Sequence, residues 1–230
     1  MHFLLLGASG RTGKHVVNEI ISQGHTAVAL VRNEGSIVPR SGLTIVTGSP
    51  LSKPDIEKAF KAAPSLTPDA AIMTLNANRK TESPFSQPAV PPRFLADSCA
   101  NLCAVLEEAG VRRVVIMSTV GTGDSWDAMP WLNKMFLGKT NVKYTIDDHN
   151  LVDQEIRSTN LDWTLVRPLR LVFDDVPEKP TNEKTDMVTM GSNAEGMRIS
   201  HSAKISSVAR FMVRAVVEGR FIKKAVVVRD

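Results

Sequence analysis

The residues that most restrict this chain are Gly7, Ala8, Ser9, Gly10, Arg11, Thr12 and Gly13. They follow directly on an apolar run at residues 2–6 and open a stretch of helical period. Glycines at such a turn let the chain reverse tightly and bring backbone N–H groups close to an anion. The start of the helix adds partial positive charge. A glycine turn can also simply end a strand. Its position in the first strand–turn–helix of an alternating chain instead predicts a cradle for the pyrophosphate of a dinucleotide at residues 7–13.

Apolar runs and helix-period segments alternate over the rest of the sequence. Strands are expected at residues 2–6, 26–31, 43–46, 69–75, 111–117, 162–166 and 225–228, and helices at 12–23, 52–62, 93–109, 145–158 and 205–218. Ser52 with Asp55, and Pro54 in the first turn, reads as a capping box. The alternation implies right-handed crossovers and a doubly wound α/β domain, its mostly parallel sheet covered on both faces. No linker divides residues 1–230, so one domain is expected. Three stretches break the pattern: 78–92, 121–142 and 173–193. Loops beyond the carboxyl ends of parallel strands form the ligand crevice, so these are candidate pocket walls.

Composition excludes several classes. Charged residues make up 23% of the chain, with 28 Lys and Arg against 24 Asp and Glu. That is ordinary for a globular protein and leaves no basic block behind which a nucleic-acid reading could stand. No apolar stretch reaches the length of a membrane span, and the short N-terminal run does not read as a secretory signal, so no membrane partner is expected. Cys99 and Cys103, four residues apart on one expected helix, read as buried thiols rather than a disulfide or metal pair. A cytoplasmic monomer or homodimer with no metal follows as the expectation.

The GxxGxxG spacing in LLLGASGRTG, residues 112–117 running into Ser118-Thr119, and LDWTLVRP at 161–168 resemble the atypical and extended short-chain dehydrogenase/reductases, in particular their NmrA-like NAD(P)H-binding branch. The likeness spans nearly the whole chain. Asp147-Asp148-His149 is similar to the biliverdin-IXβ (flavin) reductase group within that branch. The resemblance implies a Rossmann fold of six to seven strands, beginning in the order 3-2-1-4-5-6. It also implies adenine contacts at Gly48-Ser49, adenosine contacts at Leu75 and Asn76, and nicotinamide contacts at Pro168. Ser49 stands where the family more often has Asp.

An NAD site usually carries an acid at the end of the second strand for the ribose 2′-hydroxyl. Here that place holds Arg32, with Arg11 across the first turn. Guanidinium groups hold a 2′-phosphate through charge-assisted bonds, so NADP(H) is expected over NAD(H).

The Tyr-x3-Lys pair of many short-chain reductases is missing: Tyr144, the one tyrosine, is followed four residues on by Asp148. His149 falls at the family's lysine position, and Ser118 and Thr119 end the fifth strand. These four residues, Ser118, Thr119, His149 and Tyr144, are the catalytic candidates. Each has a plainer reading as turn bonding, a helix cap or a pocket wall. Trp126, Met129, Trp131 and Phe136 make an apolar segment suited to a lid over a flat hydrophobic ligand, or else to packing on the domain. The expected activity is hydride transfer from NADPH to an aromatic or conjugated acceptor: a flavin, quinone, tetrapyrrole or ketone. A non-catalytic NADP(H) redox sensor acting through a protein partner, and a redox-neutral isomerase or cyclase, are the alternatives.

Overall fold

The computed structural model describes residues 1–63, 65–81, 83–175 and 187–230. Strands β1 (His2–Leu6), β2 (Thr26–Val31), β3 (Leu43–Thr47), β4 (Ala70–Met73), β5 (Arg113–Met117) and β6 (Asp162–Pro168) alternate with helices α1 (Arg11–Ser22), α2 (Lys53–Phe60), α3 (Phe94–Glu108), α4 (Trp131–Gly138) and α5 (Val142–Ile156). Short strands β7 (Arg170–Val172), β8 (Val188–Thr189) and β9 (Ser202–Lys204) precede α6 (Ile205–Val217) and β10 (Lys224–Arg229). The main sheet has the order β3-β2-β1-β4-β5-β6-β10-β8, parallel throughout except where β8 runs antiparallel to β10. β7 and β9 form a separate parallel pair.

Alternation explains why β1 is buried at every residue. Leu4 and Leu6 point into a core shared with α2, α3 and α5, whereas Phe3 and Leu5 point into a second core under α1 and α6. The strand order reverses between β1 and β4, with β2 and β3 to one side and β5, β6 and β10 to the other. Such a switch point leaves a crevice at the strands' carboxyl ends.

Two departures from the sequence reading concern pattern length. The sheet has eight strands rather than six to seven, because the two-residue β8 is too short to show a period. The 121–142 stretch contains the helix α4, which begins immediately after Pro130. Of the 173–193 stretch, residues 176–186 lie outside the described residues. Among the described residues no helix is long and apolar enough to cross a membrane. Cys99 and Cys103 are buried on α3, their sulfurs 3.9 Å apart.

Two polar side chains tie distant segments together. Arg113 on β5 donates to Asp162 O (2.6 Å), Thr164 Oγ1 (2.9 Å), Ala215 O (2.7 Å) and Arg220 O (2.8 Å), which joins β6 to the C-terminal end of α6. Burial pulls its pKa down to about 10. Asp148 on α5 is the second. Arg93 enters α3 in a left-handed conformation (φ 60°) and makes no side-chain cap, so the first N–H groups of α3 need another acceptor. The Asp148 carboxylate provides it, accepting from Leu95 N (2.8 Å) and Ala96 N (3.0 Å).

Replacing Arg113 by Met strands carbonyls at the end of α6 and is expected to cost about 2–4 kcal/mol, read as a lower urea midpoint at unchanged slope. Asp148→Ala uncaps α3 and should cost about 1–3 kcal/mol in the same assay. An Asp148→Ala protein as stable as wild type would show that α3 does not depend on this cap.

Candidate functional site

The turn after β1 is built by close contact that only glycine permits. Gly7 has φ +90°, and a Cβ there would lie 2.7 Å from the carbonyl carbon of Thr74 at the end of β4. A Cβ on Gly13 would run into the Gly7 carbonyl oxygen, and one on Gly10 would lie 3.2 Å from the same atom. Thr74 closes the seam by donating from Oγ1 to Gly7 O (3.1 Å). Gly10 is the N-cap of α1 and contributes no side chain over the helix end. The first N–H groups of α1 thus face the crevice uncovered, as an anion cradle requires.

A cleft of about 670 Å³ extends from this turn across the carboxyl ends of β2, β1, β4, β5 and β6. Its lining begins at Arg32 after β2, passes Gly7, Ser9, Gly10, Arg11 and Thr12, then Leu75 and Asn76 after β4, and reaches Ser118, Thr119 and Pro168. Adjacent strands lie about 4.8 Å apart, so Arg32 and Ser118, three strands distant, are separated by roughly 14 Å. That span matches an extended dinucleotide from its adenosine ribose to its nicotinamide. The residues present fit the group.

Charge in the cleft has one sign. Arg11, Arg32, Arg79 and Arg170 line it, and no acidic side chain does so among the described residues. Arg11 lies over the Phe173 ring at 3.9 Å. Arg79 is held by its Nε donating to Ser83 O (3.1 Å). Four guanidinium groups lining one cleft suit a polyanionic ligand. Sequence reasoning found Arg11 and Arg32 by their position beside the first two strands. Arg79 and Arg170 carry no spacing signal and emerge only from the fold.

Ala8 and Gly13 are buried beneath the turn, outside the lining. Ser49 also lies off the lining, which Pro50 joins instead. The Asp55 carboxylate accepts from Ser49 N at 2.8 Å, while Ser52 Oγ accepts from Asp55 N at 3.3 Å. The capping box is therefore half-formed: its acid fixes the loop after β3 rather than turning back to Ser52 N.

The catalytic candidates divide. His149 is buried in the wall of the cleft, and its Nδ1 has no hydrogen-bond partner. Burial lowers its pKa to about 4, so the ring is neutral at physiological pH. Ser118 is buried, with Oγ 3.4 Å from Thr122 Oγ1, and Thr119 Oγ1 donates to Val120 O at 3.2 Å. Both hydroxyls engage their own turn while lining the cleft. Tyr144 is half exposed, lies off the lining, and has the Lys143 ammonium 5.1 Å from its ring.

The expected lid is arranged differently. Trp126, Met129, Trp131 and Phe136 do not line the cleft. Met129 is buried against Gly121, and Trp126 has Lys134 over its ring, whereas Trp131 and Phe136 face outward. In their place Val90, Phe94, Leu137, Val142 and Ile146 form an apolar wall beside His149. The helical period of α4 explains the exchange, since it turns Leu137 toward the cleft and its aromatic neighbours away. Beneath this wall the fully buried Arg167 donates to Asp124 Oδ1 (2.5 Å) and Ser192 O (2.9 Å), which fastens the 122–125 turn to β6.

Comparison with known proteins agrees with this geometry. Residues 7–218 match the family model described as NAD(P)H-binding. The photosystem II assembly factor Ycf39 of Synechocystis is 28% identical over 153 residues; the match covers 64% of this chain but only 43% of that protein. Anaerobilin reductase ChuY of Escherichia coli superposes with a TM-score of 0.73 at 15% identity, over 99% of this chain and 96% of its own. A short-chain dehydrogenase/reductase of Veillonella parvula in complex with NADP gives 0.72 at 16% identity, over 100% and 94%. The likeness to these two structures is one of fold. With a Gly7–Gly13 cradle at the switch point of a doubly wound sheet, the chain belongs to the NAD(P)H-binding family.

Proposed function

We propose that the protein is an NADP(H)-dependent reductase of a flat, conjugated small molecule: a flavin, quinone, tetrapyrrole or ketone. The observation that carries this reading is the continuity of one cleft. A diphosphate cradle and an arginine-marked ribose end run directly into an apolar wall that holds an unpartnered, neutral His149.

The N–H groups opening α1 would bind the diphosphate, and Arg32 with Arg11 the 2′-phosphate. Leu75 and Asn76 would flank the adenosine half, and Pro168 the nicotinamide. The cofactor, when bound, supplies a hydride from its nicotinamide ring. The chain's own residues then have three tasks. The apolar wall of Val90, Phe94, Leu137, Val142 and Ile146 excludes water and holds a ring by its face. Ser118 orients the nicotinamide end or the acceptor oxygen. His149 meets a polar atom of the acceptor as a neutral hydrogen-bonding group. With a pKa of about 4 it is not a reservoir of protons at neutral pH, so solvent supplies the proton.

A second reading, a dinucleotide-dependent regulator that acts through a protein partner, draws on the missing Tyr-x3-Lys pair and on the assembly role named for the Ycf39 relative. Turnover separates the two. Disappearance of NADPH absorbance with a flavin, a quinone or a ketone supports the reductase, and tight NADPH binding without oxidation by any of them supports the regulator.

Arg32→Ala is expected to weaken NADPH binding by about 1–3 kcal/mol and to leave NADH nearly unchanged. Equal loss for both in a titration would remove Arg32 from the 2′-phosphate. His149→Gln should lower kcat more than NADPH affinity. The stability of the wild type carries a second signature of the same residue. The folded pKa of His149, about 4, lies below its ordinary 6.5, so the native state binds fewer protons than the unfolded chain. Stability is therefore complete above pH 6.5 and declines as the pH falls toward 4, by on the order of 3 kcal/mol from this residue. Denaturant titrations across that window should be flatter in His149→Gln than in wild type.

A further inference from the structure

Helix α4 buries none of its eight residues. A helix this short has little stability of its own in water and depends on what it packs against. At 100° per residue, Trp131, Leu132, Met135 and Phe136 fall within an arc of about 140°, almost opposite the cleft-lining Leu137. All four are exposed, Trp131 to 70%. Asn141 N and Nδ2 donate to Pro84 O (2.8 Å) and Phe85 O (2.7 Å), which brings Phe85, 67% exposed, beside the end of the same helix. Tyr144, half exposed, lies one turn further on. The apolar face thus extends past the helix into its neighbours and is uncovered throughout.

Charge decides what fits it. Residues 128–146 contain Lys134, Lys139 and Lys143 and no acidic residue. Lys139 and Lys143 are exposed, and Lys134 is half-buried with its ammonium on Asp127 O (3.1 Å). A second copy of the chain, set face to face on this helix, would oppose lysine to lysine. Aromatic and aliphatic side chains beside lysines are instead what seats a helix in the plane of an anionic lipid surface, with rings in the headgroup boundary and ammonium groups on the phosphates.

We propose that α4, with Phe85 and Tyr144, docks the protein on an anionic membrane surface. The sequence reading took the same tryptophan-rich segment for a lid and expected no membrane partner, because the side on which each residue falls is set by the helix. Docking has a consequence for the site. Leu137 and Val142 line the cleft while their neighbours enter the lipid, so α4 is a wall shared by the cleft and the bilayer surface. Resting on the reductase reading above, this favours an acceptor dissolved in lipid, of the alkylated quinone class. NADPH would transfer hydride to the quinone and water a proton, giving hydroquinone and NADP+.

The full chain would be sedimented with vesicles of phosphatidylcholine and phosphatidylglycerol in equal parts, and with phosphatidylcholine alone. Binding is expected to the first, weakening with salt, together with a blue shift of tryptophan emission that Trp131→Phe removes. Each lysine near an anionic surface contributes about fivefold, so Lys139→Gln with Lys143→Gln should lower the partition roughly 25-fold. Trp131→Ser with Phe136→Ser should abolish it, while thermal unfolding and NADPH affinity report that the variants remain folded. Absence of binding to the anionic vesicles overturns the proposal, as does equal binding to neutral ones or binding that survives both double variants. Self-association through these residues without vesicle binding, or a lysate protein competing for them, would also overturn it. Failure of NADPH oxidation with every acceptor would remove the reductase reading and leave the vesicle result standing.

Discussion

The approach of Gly7 to Thr74 is the contact on which the rest of the site depends. It presses the turn after β1 against the end of β4 so closely that a methyl group would have to displace backbone. The packing of Gly13 under the Gly7 carbonyl then sets α1 immediately above the sheet, with its N-terminus directed across the strand ends. Strand order reverses at this junction, so a tight seam in the backbone lies beside the cleft. Rigidity of the seam and openness of the cleft have one origin. A diphosphate placed there would meet N–H groups already held by the helix.

Electrostatics extends the argument along the cleft. Elsewhere in the molecule arginines pair with carboxylates, as Arg93 does with Asp97 and Glu155, and Arg167 with Asp124 and Asp153. In the cleft four guanidinium groups gather, and among the described residues no acidic side chain joins the lining. A basic cleft in a chain of nearly balanced charge concentrates the field where a polyanion binds. The far end has the opposite character: apolar side chains surround an imidazole kept neutral by burial. One end is basic and the other apolar.

How much of this was legible in the sequence varied with the kind of signal. Two-sided burial writes itself as continuous apolar runs, so the seven long strands were found to within a few residues. The places of the glycine turn and Arg32 on the cleft were legible because they are fixed positions in a strand–turn–helix unit. Signals that need the third dimension were not. The orientation of α4 depends on its helical period within a stretch read as irregular, so its aromatic residues were assigned to the wrong side of it. Asp148 looked like part of a charged helix start, yet it caps a different helix more than fifty residues earlier in the chain. Nothing local marks Arg79 or Arg170 as cleft residues.

The place of β10 bears on how the molecule is made. Although it comes last among the elements, it is not an edge: it sits between β6 and β8, and Arg113 on β5 reaches past β6 to carbonyls at residues 215 and 220 just before it. During synthesis the nucleotide-cradling half of the sheet has all its neighbours early, whereas β6 keeps an unsatisfied, apolar border until residues 224–229 leave the ribosome. Closure of the domain thus waits for residues 224–229, and in the interval that border is a part of the nascent chain in need of a chaperone.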